Sequence, residues 1–189
     1  IATLIYANDN EDKLFDFTGI PANGWFWDMP RQAATNMLEN IRRTDSFYCP
    51  NELYLYKDNG PPDAWDAFPD YVVTGYIWFF PNSVAIKATP PILSGTNLVT
   101  KISRGRPGVS VSQTEMIIDA TISVLGITGS RTYVGINAAG TSKVNTAHMD
   151  NGRTPAGGNI CFLDNHIEWR KFQLMTNVMS LPGKPSEQF

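Results

Sequence analysis

Two histidines and a few carboxylates are the side chains of this sequence whose types could do chemistry at neutral pH. The set to weigh consists of His148, His166, Asp119 and Asp164. Imidazole and carboxylate groups can bind zinc, or an imidazole can act as a general base that a carboxylate orients. Their spacing gives no positive support for either chemistry, and Asp164 and His166 flank a predicted turn in which local hydrogen bonds would occupy them. The sequence therefore favours structural roles and predicts no catalytic residue.

Metal binding is a hypothesis for five side chains, although the sequence predicts no resident cofactor. The candidate ligands are Asp119, His148, Asp150, Asp164 and His166. Asp119 stands out because residues 115–124 form the clearest central strand, where a carboxylate costs free energy unless it is partnered. It could therefore belong to a polar network or to a metal site. The favoured interpretation is that it accepts hydrogen bonds from backbone or loop groups.

The short motifs of common enzyme classes are absent. The sequence contains no Gly-x-x-x-x-Gly-Lys loop for phosphate, no Gly-x-Gly-x-x-Gly turn, no Gly-x-Ser-x-Gly elbow and no Cys-x-x-Cys pair. The two cysteines, Cys49 and Cys161, permit one internal disulfide, but sequence does not show whether their Cα atoms approach. A bridge and two half-buried thiols both stay open, so the cysteines indicate no compartment.

Composition bounds the class of protein. The chain has 189 residues, enough for one domain with a substantial core, and we expect residues 1–189 to form a single domain. Its formal charge of −3 and its isoelectric point near 5.3 give no footprint for nucleic acid, which is therefore not an expected partner. The 15 glycines, 13 prolines and 12% aromatic residues are typical of a loop-rich domain that contains β-structure.

Two helices are indicated among the elements that must position these side chains. Residues 1–7 have helical spacing but no preceding cap, so we expect residues 1–8 to be the end of a longer N-terminal helix. A second helix is predicted from a cap at Asp28, with Pro30 at its second position, to about Thr44. It carries an apolar stripe that is typical of a core-facing surface. The stripe consists of Met29, Ala33, Ala34, Met37, Leu38 and Ile41.

Strand patterns occupy much of the rest of the chain. Residues 71–80 predict a strand with a bend at Gly75. Within it, Trp78, Phe79 and Phe80 are expected to pack in the core rather than to form a platform for a ligand. Residues 83–100 predict short strands joined by turns. A long polar loop, residues 135–158, then leads to the last predicted strands.

Residues 159–170 are predicted to form a β-hairpin around a two-residue turn, Asp164-Asn165. The predicted pairs are Leu163 with His166, Phe162 with Ile167, Cys161 with Glu168, and Ile160 with Trp169. This register would place the apolar side chains of Ile160, Phe162, Ile167 and Trp169 on one face. A shift of one residue would scatter them over both faces, which favours the predicted register.

The residues from His148 to Trp169 resemble the C-terminal signature of type II secretion pseudopilin-like proteins of Planctomycetes, Verrucomicrobia and Lentisphaerae. In that signature a His is followed after nine residues by Asp-Gly and usually by His-Val-x-Trp. The matching motif residues are Gly158, Asn159, Phe162, Asp164, Asn165, His166 and Trp169. His148 lies six residues too early, where Thr154 occupies the expected position, and Asn165 replaces the usual Gly. The second change is mild because Asn also adopts left-handed backbone.

Other segments extend this resemblance across most of the chain. Residues 1–8 look like the end of the N-terminal pilin helix of the family. Cys49-Pro50 is similar to a Cys-Pro that often follows the first region, and Asp119-Ala120 resembles an internal Asp-Ala strand. The resemblance implies an α+β, pilin-like fold in which an N-terminal helix packs on an antiparallel sheet with long loops and a C-terminal hairpin.

The resemblance also implies a location and partners. A cleaved leader and an apolar helix ahead of this chain would anchor a periplasmic or extracellular head in the inner membrane. Other pilin-like subunits would bind through the N-terminal helix, where Ile1, Leu4 and Ile5 would contribute to assembly. Some major pseudopilins hold calcium in a C-terminal loop, and the oxygen ligands here could come from Asp150, Asn151 and Asp164.

The expected function is that of a non-enzymatic pseudopilin-like subunit of a type II secretion or type IV pilus-related system, or of a cell-surface derivative. A secreted module that binds carbohydrate or another ligand is the alternative. Its stacking surfaces would be Trp25, Trp27, Trp65 or Trp78. A hydrolase that uses the Asp and His set is a further alternative.

Overall fold

A computed structural model describes residues 2–21, 24–52, 64–85, 101–105, 108–125, 129–136, 146–151, 153–175, 178–180 and 186–188. Within these ranges the fold is α+β, with two α-helices and antiparallel sheets. Ile1 and residues 86–100, which were predicted to contribute to assembly and to form short strands, lie outside the described residues.

The elements have the following bounds. The helices are α1 (Ala2–Asp9) and α2 (Arg31–Ile41). The strands are β1 (Asp28–Pro30), β2 (Tyr71–Val73), β3 (Tyr76–Trp78), β4 (Glu115–Asp119), β5 (Thr121–Leu125), β6 (Arg131–Val134), β7 (Met149–Asp150), β8 (Thr154–Pro155), β9 (Gly157–Phe162), β10 (Ile167–Lys171), β11 (Val178–Ser180) and β12 (Ser186–Gln188). Short 3₁₀ turns span Thr44–Phe47, Pro50–Glu52, Val111–Gln113 and Phe172–Leu174.

Two four-stranded antiparallel sheets organise the described chain. The first sheet has the order β10-β9-β4-β3, and the second has the order β11-β12-β5-β6. Residues 115–124, predicted as one strand, divide at Ala120 into β4 in the first sheet and β5 in the second. The predicted bend at Gly75 is confirmed, since it separates β2 from β3. The chain therefore changes sheets directly after Asp119, which leaves that side chain at the end of a strand.

Helix α2 confirms the predicted core-facing stripe from Ala33 onward but not the predicted cap, and Met29, which was predicted on the same helix, lies in β1. Ala33, Ala34 and Met37 are buried. Asp28 does not cap the helix, because residues 28–30 pair with β2 and the helix can begin only after Pro30. The carboxylate of Asp28 instead accepts a hydrogen bond from the Trp25 backbone N–H at 2.7 Å. The helix ends at Ile41, earlier than predicted, because the next residue adopts left-handed backbone.

An aromatic cluster fills the core, as predicted for residues 78–80. Trp78, Phe79 and Phe80 are all buried. Phe17 and Phe80 meet edge to face with their ring centroids 5.2 Å apart. Full burial of each such side chain contributes about 2 to 3 kcal/mol. Trp27 is buried as well, so neither Trp27 nor Trp78 offers an exposed face for stacking a sugar.

The hairpin forms where it was predicted, but the predicted register is wrong by one residue. Ile167 pairs with Cys161, and Trp169 pairs with Asn159. The loop holds three residues, 163–165, because Asn165 has a φ of 68° and its N–H bonds to the Phe162 carbonyl at 2.8 Å. A turn of this kind, followed by a left-handed residue, adds one residue to a hairpin loop.

The shifted register divides the four apolar residues between the two faces of the hairpin. Ile160 and Phe162 are buried, whereas Ile167 and Trp169 are 67% and 46% exposed. Strand β10 belongs to an antiparallel sheet, and such a sheet can leave one face exposed to water. The conformation of the turn therefore decides the register. The four apolar residues do not have to lie on one face, as the sequence pattern suggested.

Within the described residues, no helix combines the length and the apolar content that a bilayer span requires.

Candidate functional site

Three side chains from distant segments meet at one end of the first sheet. Nε2 of His148 lies 3.2 Å from Sγ of Cys49 and 3.1 Å from Oδ2 of Asp119. One ligand atom of each residue lies within 4.8 Å of the other two. Within the described ranges, this is the one group of three His, Cys, Asp or Glu side chains that could hold a metal ion. We refer to Cys49, Asp119 and His148 as the convergent cluster.

Asp119 owes its position to the cross-strand order of the sheet. It pairs with Tyr76 of β3, and one step along the β4 and β9 register places it opposite Asn159, which pairs with Trp169 of β10. Oδ2 of Asp119 accepts hydrogen bonds from the backbone N–H of Asn159 at 2.7 Å and from its side-chain Nδ2 at 2.8 Å. The favoured interpretation of Asp119 as an acceptor of backbone bonds is confirmed, and the same oxygen also contacts His148.

Thr146 brings the His148 segment to the point where the chain changes sheets. Its hydroxyl donates to the carbonyl of Ala120 at 2.7 Å and accepts from the N–H of Ile122 at 3.2 Å. These backbone groups flank the break between β4 and β5, and unpaired polar groups there would be costly because the region is buried. Thr146 thereby provides hydrogen-bond partners for the backbone groups at the break. It also fixes the position of the chain two residues ahead of His148.

His148 makes further contacts through its backbone carbonyl, through its imidazole ring and through Nδ1. Its φ of 52° is left-handed, which costs about 1 kcal/mol or more for a residue with a Cβ. The carbonyl accepts the Ala156 N–H at 2.7 Å. Nδ1 lies 3.2 Å from Nδ2 of Asn51, and the imidazole packs edge to face against Trp169 with centroids 5.1 Å apart. The observed hairpin register is what brings Trp169 to this ring.

The charge state of His148 follows from its neighbours. Hydrogen bonding to the Asp119 carboxylate, with a second contribution from Cys49, raises the pKa of His148 to about 10, although partial burial opposes this shift. The side chain of Asp119 is only 2% exposed. Without a bound cation, the imidazolium therefore neutralises a buried carboxylate at neutral pH.

Cys49 lies in the connection between two 3₁₀ turns, directly ahead of Pro50. The preceding turn is attached to the bend between β2 and β3, because the Gly75 N–H bonds to the Phe47 carbonyl at 2.9 Å. Cys49 is 1% exposed. Both Cys49 and Cys161 are free thiols, so the disulfide that the sequence permitted is not formed. Burial raises the pKa of the Cys161 thiol.

A cavity of about 470 Å³ opens beside the convergent cluster. One wall is the face of the first sheet that carries Ile117, Asp119, Asn159 and Cys161. Ala2 and Thr3 of α1 and Met37 and Ile41 of α2 line it from the helices, and Cys49 also reaches it. The cavity therefore combines a mainly apolar lining with a thiol, a carboxylate and an amide, as small-molecule sites commonly do.

Two adjacent glycines of β9 allow the strands around the cluster to approach closely. A Cβ on Gly157 would lie 2.2 Å from the carbonyl oxygen of Arg170 and 2.8 Å from the Trp169 ring. A Cβ on Gly158 would lie 3.2 Å from the Cβ of Asp119. Gly158, a residue of the sequence motif, thus leaves room for the carboxylate that holds His148.

The remaining candidate ligands lie apart from this cluster in local turns. Asp164 and His166 pair with each other, and the His166 ring stacks on Phe162 with centroids 4.4 Å apart. Asp150 accepts a bond from the Asn151 side chain at 2.9 Å. Neither Asp150 nor Asp164 joins a group of three His, Cys, Asp or Glu ligands in the described ranges.

Of the five sequence candidates, the structure brings together Asp119 and His148 and adds Cys49, which sequence reasoning did not select. The signal that could have found Cys49 was its position in the Cys-Pro pair of the resemblance. Cysteine thiolate, imidazole and carboxylate together can bind a soft or borderline divalent metal. A thiol beside an imidazole can also serve as an activated nucleophile.

Comparison with protein-family models, with curated proteins and with solved structures finds no match.

Proposed function

We propose that this chain is the head of a non-enzymatic pseudopilin-like subunit of a type II secretion or type IV pilus-related system, or of a cell-surface derivative. The observation that carries the proposal is the meeting of three separate motif segments in one cluster. Cys49-Pro50, Asp119-Ala120 and the run from His148 to Trp169 each resemble the family. The third segment reaches the cluster through His148 and through the motif residue Asn159, which donates two hydrogen bonds to Asp119.

The coarse architecture agrees with the same proposal. Helix α1 lines the cavity on the face of a four-stranded antiparallel sheet through Ala2 and Thr3, and the sheet ends in the C-terminal hairpin. A helix on an antiparallel sheet is what the pilin-like fold requires. Under this proposal the chain is a periplasmic or extracellular head, which a preceding apolar segment anchors in the inner membrane.

The outer side of α1 is the proposed assembly surface. Leu4 and Ile5 are 38% and 37% exposed, whereas Ala2, Thr3 and Ala7 on the same helix are buried. Exposed apolar side chains on a helix can pack against the equivalent helix of a neighbouring subunit, since burying them removes apolar surface from water. Other pilin-like subunits are therefore the proposed partners.

The proposal can be tested in the full-length gene product expressed in its native membrane. Leu4→Asp and Ile5→Asp should strongly reduce the fraction of protein in high-mass assemblies, measured by cross-linking and membrane fractionation. Val124→Asp is the matched control, because Val124 is 40% exposed but lies on β5 rather than on α1. Equal assembly of wild type, both helix variants and the control would contradict the proposal, as would an ordinary cleaved signal peptide encoded upstream in place of a leader and a long apolar helix.

A further inference from the structure

Two of the three separations between the ligand atoms of the convergent cluster are close to those of a tetrahedral metal site, and the third is within 4.8 Å. Zinc bonds of about 2.0 to 2.3 Å give ligand-to-ligand edges of roughly 3.3 to 3.8 Å in a tetrahedron. The two measured separations, 3.2 Å from Nε2 to Sγ and 3.1 Å from Nε2 to Oδ2, fall just below that range. A small outward movement of the side chains would admit the ion.

A hydrogen bond from Nε2 of His148 cannot reach both of its neighbours in the cluster at once. Nε2 of an imidazole carries at most one proton, so it can direct a linear hydrogen bond to Sγ of Cys49 or to Oδ2 of Asp119, but not to both. A cation in the centre would be contacted by all three atoms at once. It would also compensate the charge of a carboxylate whose side chain is 2% exposed.

Two of the three ligands, Asp119 and His148, contact an asparagine outside the cluster that can orient them. Asn159 donates twice to Oδ2 of Asp119. Asn51 lies against Nδ1 of His148, and with its amide oxygen turned to that atom it would accept the Nδ1 proton and leave Nε2 for the metal. The left-handed backbone of His148 is a local cost that other contacts must offset, a property that is common at functional sites.

We propose that Cys49, Asp119 and His148 form a zinc-binding site with three protein ligands. The choice of zinc follows from the ligand set, because thiolate and imidazole favour zinc over calcium or magnesium. Three protein ligands leave a fourth position open. Two of the ligands, Cys49 and Asp119, also line the adjacent cavity. A water molecule or a donor atom of a small ligand would complete the coordination.

The site does not depend on the assembly proposed above. A pilin-like subunit without zinc and a zinc protein that does not assemble are both self-consistent, so the two experiments give separate answers. Assembly is tested through the exposed residues Leu4 and Ile5 of α1, and the metal is tested through Cys49, Asp119 and His148.

The test is a titration of the metal-stripped chain with zinc alone, followed by cobalt as a spectroscopic probe. We expect one zinc per chain by calorimetry, and a thiolate-to-cobalt charge-transfer band in the near ultraviolet. Cys49→Ser, Asp119→Asn and His148→Gln should each weaken zinc binding by at least about 100-fold, since each removes or weakens one of three ligands. Cys161→Ser and His166→Gln are the matched controls, and both should bind zinc like the wild type.

A protection experiment covers the case in which a ligand variant does not fold. In the wild type, zinc should slow alkylation of Cys49 at least about tenfold, because a metal-bound thiolate is withdrawn from reaction. Peptide mapping would report Cys49 and Cys161 separately. The proposal is overturned if the wild type binds no zinc, if cobalt gives no thiolate band, or if Cys49→Ser binds zinc as tightly as Cys161→Ser does.

Discussion

His148 with Asp119 and His166 with Asp164 are pairs of the same residue types in opposite surroundings. Nε2 of His148 lies 3.1 Å from Oδ2 of Asp119, and these side chains are 19% and 2% exposed. In the second pair the exposed fractions are 35% and 34%, and the partners are two residues apart in one turn. The first pair collects Cys49, Asn51 and Asn159 around it, whereas the second has Glu168 as a further partner of its imidazole.

The difference teaches that residue type and contact distance do not define a site. Asp164 also accepts the His166 backbone N–H, so the pair completes a turn that the local sequence already favours. Asp119 and His148 meet only because a strand end, a threonine at a sheet crossing and a left-handed backbone converge. Because several distant segments hold this arrangement together, we expect a single substitution in it to lower the free energy of unfolding more than one in the Asp164 and His166 turn.

The largest effect should come from the buried carboxylate. Asp119→Ala would leave the imidazolium of His148 and the two Asn159 donors without their acceptor, and we expect a loss of about 3 kcal/mol in the free energy of unfolding. Asp164→Ala in the exposed pair should leave the urea midpoint nearly unchanged, because solvent replaces the lost contact. Equal shifts for the two variants would remove the distinction between the pairs.

The close approach of β9 and β10 should be the next most sensitive feature. Gly157→Ala would force the Arg170 carbonyl and the Trp169 ring away, and we expect a loss of about 2 to 3 kcal/mol together with loss of the Trp169 contact to His148. Gly129→Ala is the control, since Gly129 also has positive φ but a Cβ there would meet no atom within 4 Å. Denaturation monitored by tryptophan fluorescence would measure both. A smaller loss of stability for Gly157→Ala than for Gly129→Ala would contradict the importance of the close approach of β9 and β10.

The hydroxyl at the sheet crossing should have an intermediate effect. Thr146→Val keeps the shape but removes the partner of the Ala120 carbonyl and the Ile122 N–H, and we expect a loss of about 1 to 3 kcal/mol. Thr146→Ser retains the hydroxyl and should recover most of that stability. Hydrogen exchange at Ile122 should accelerate in the valine variant alone, and unchanged exchange would contradict the assigned role.

The exposed pair should give the smallest effect, seen in titration rather than in stability. Hydrogen bonding to Asp164 raises the pKa of His166, so the contribution of His166 to stability is complete below about pH 6.5 and is lost as pH rises through the raised pKa. The pKa of Asp164 is lowered by the same contact, so its contribution is lost as pH falls through that lowered value. Asp164→Asn should return the NMR-measured pKa of His166 toward its usual value. An unchanged pKa would show that Glu168 dominates instead.

The sequence by itself predicted the elements whose signals are local. The apolar stripe of α2 from Ala33 onward, the bend at Gly75 and the buried aromatic residues 78–80 follow from periodicity, backbone freedom and burial of apolar surface, and these are confirmed. The position of the hairpin was also local information. Its register was not, because the choice between a two-residue and a three-residue loop rests on the backbone conformation of Asn165.

The tertiary structure alone decided the convergent cluster. Sequence marked Asp119 as a carboxylate that needs a partner, yet it could not choose between backbone donors and a network, and it passed over Cys49. The three members come from a connection between 3₁₀ turns, a strand end and a loop, and no periodic pattern links such positions. Their meeting depends on the split of residues 115–124 between two sheets and on the hydrogen bonds of Thr146 across that split. Long-range pairing of this kind is fixed by the fold as a whole, whereas the Asp164 and His166 turn is fixed by a few neighbouring residues.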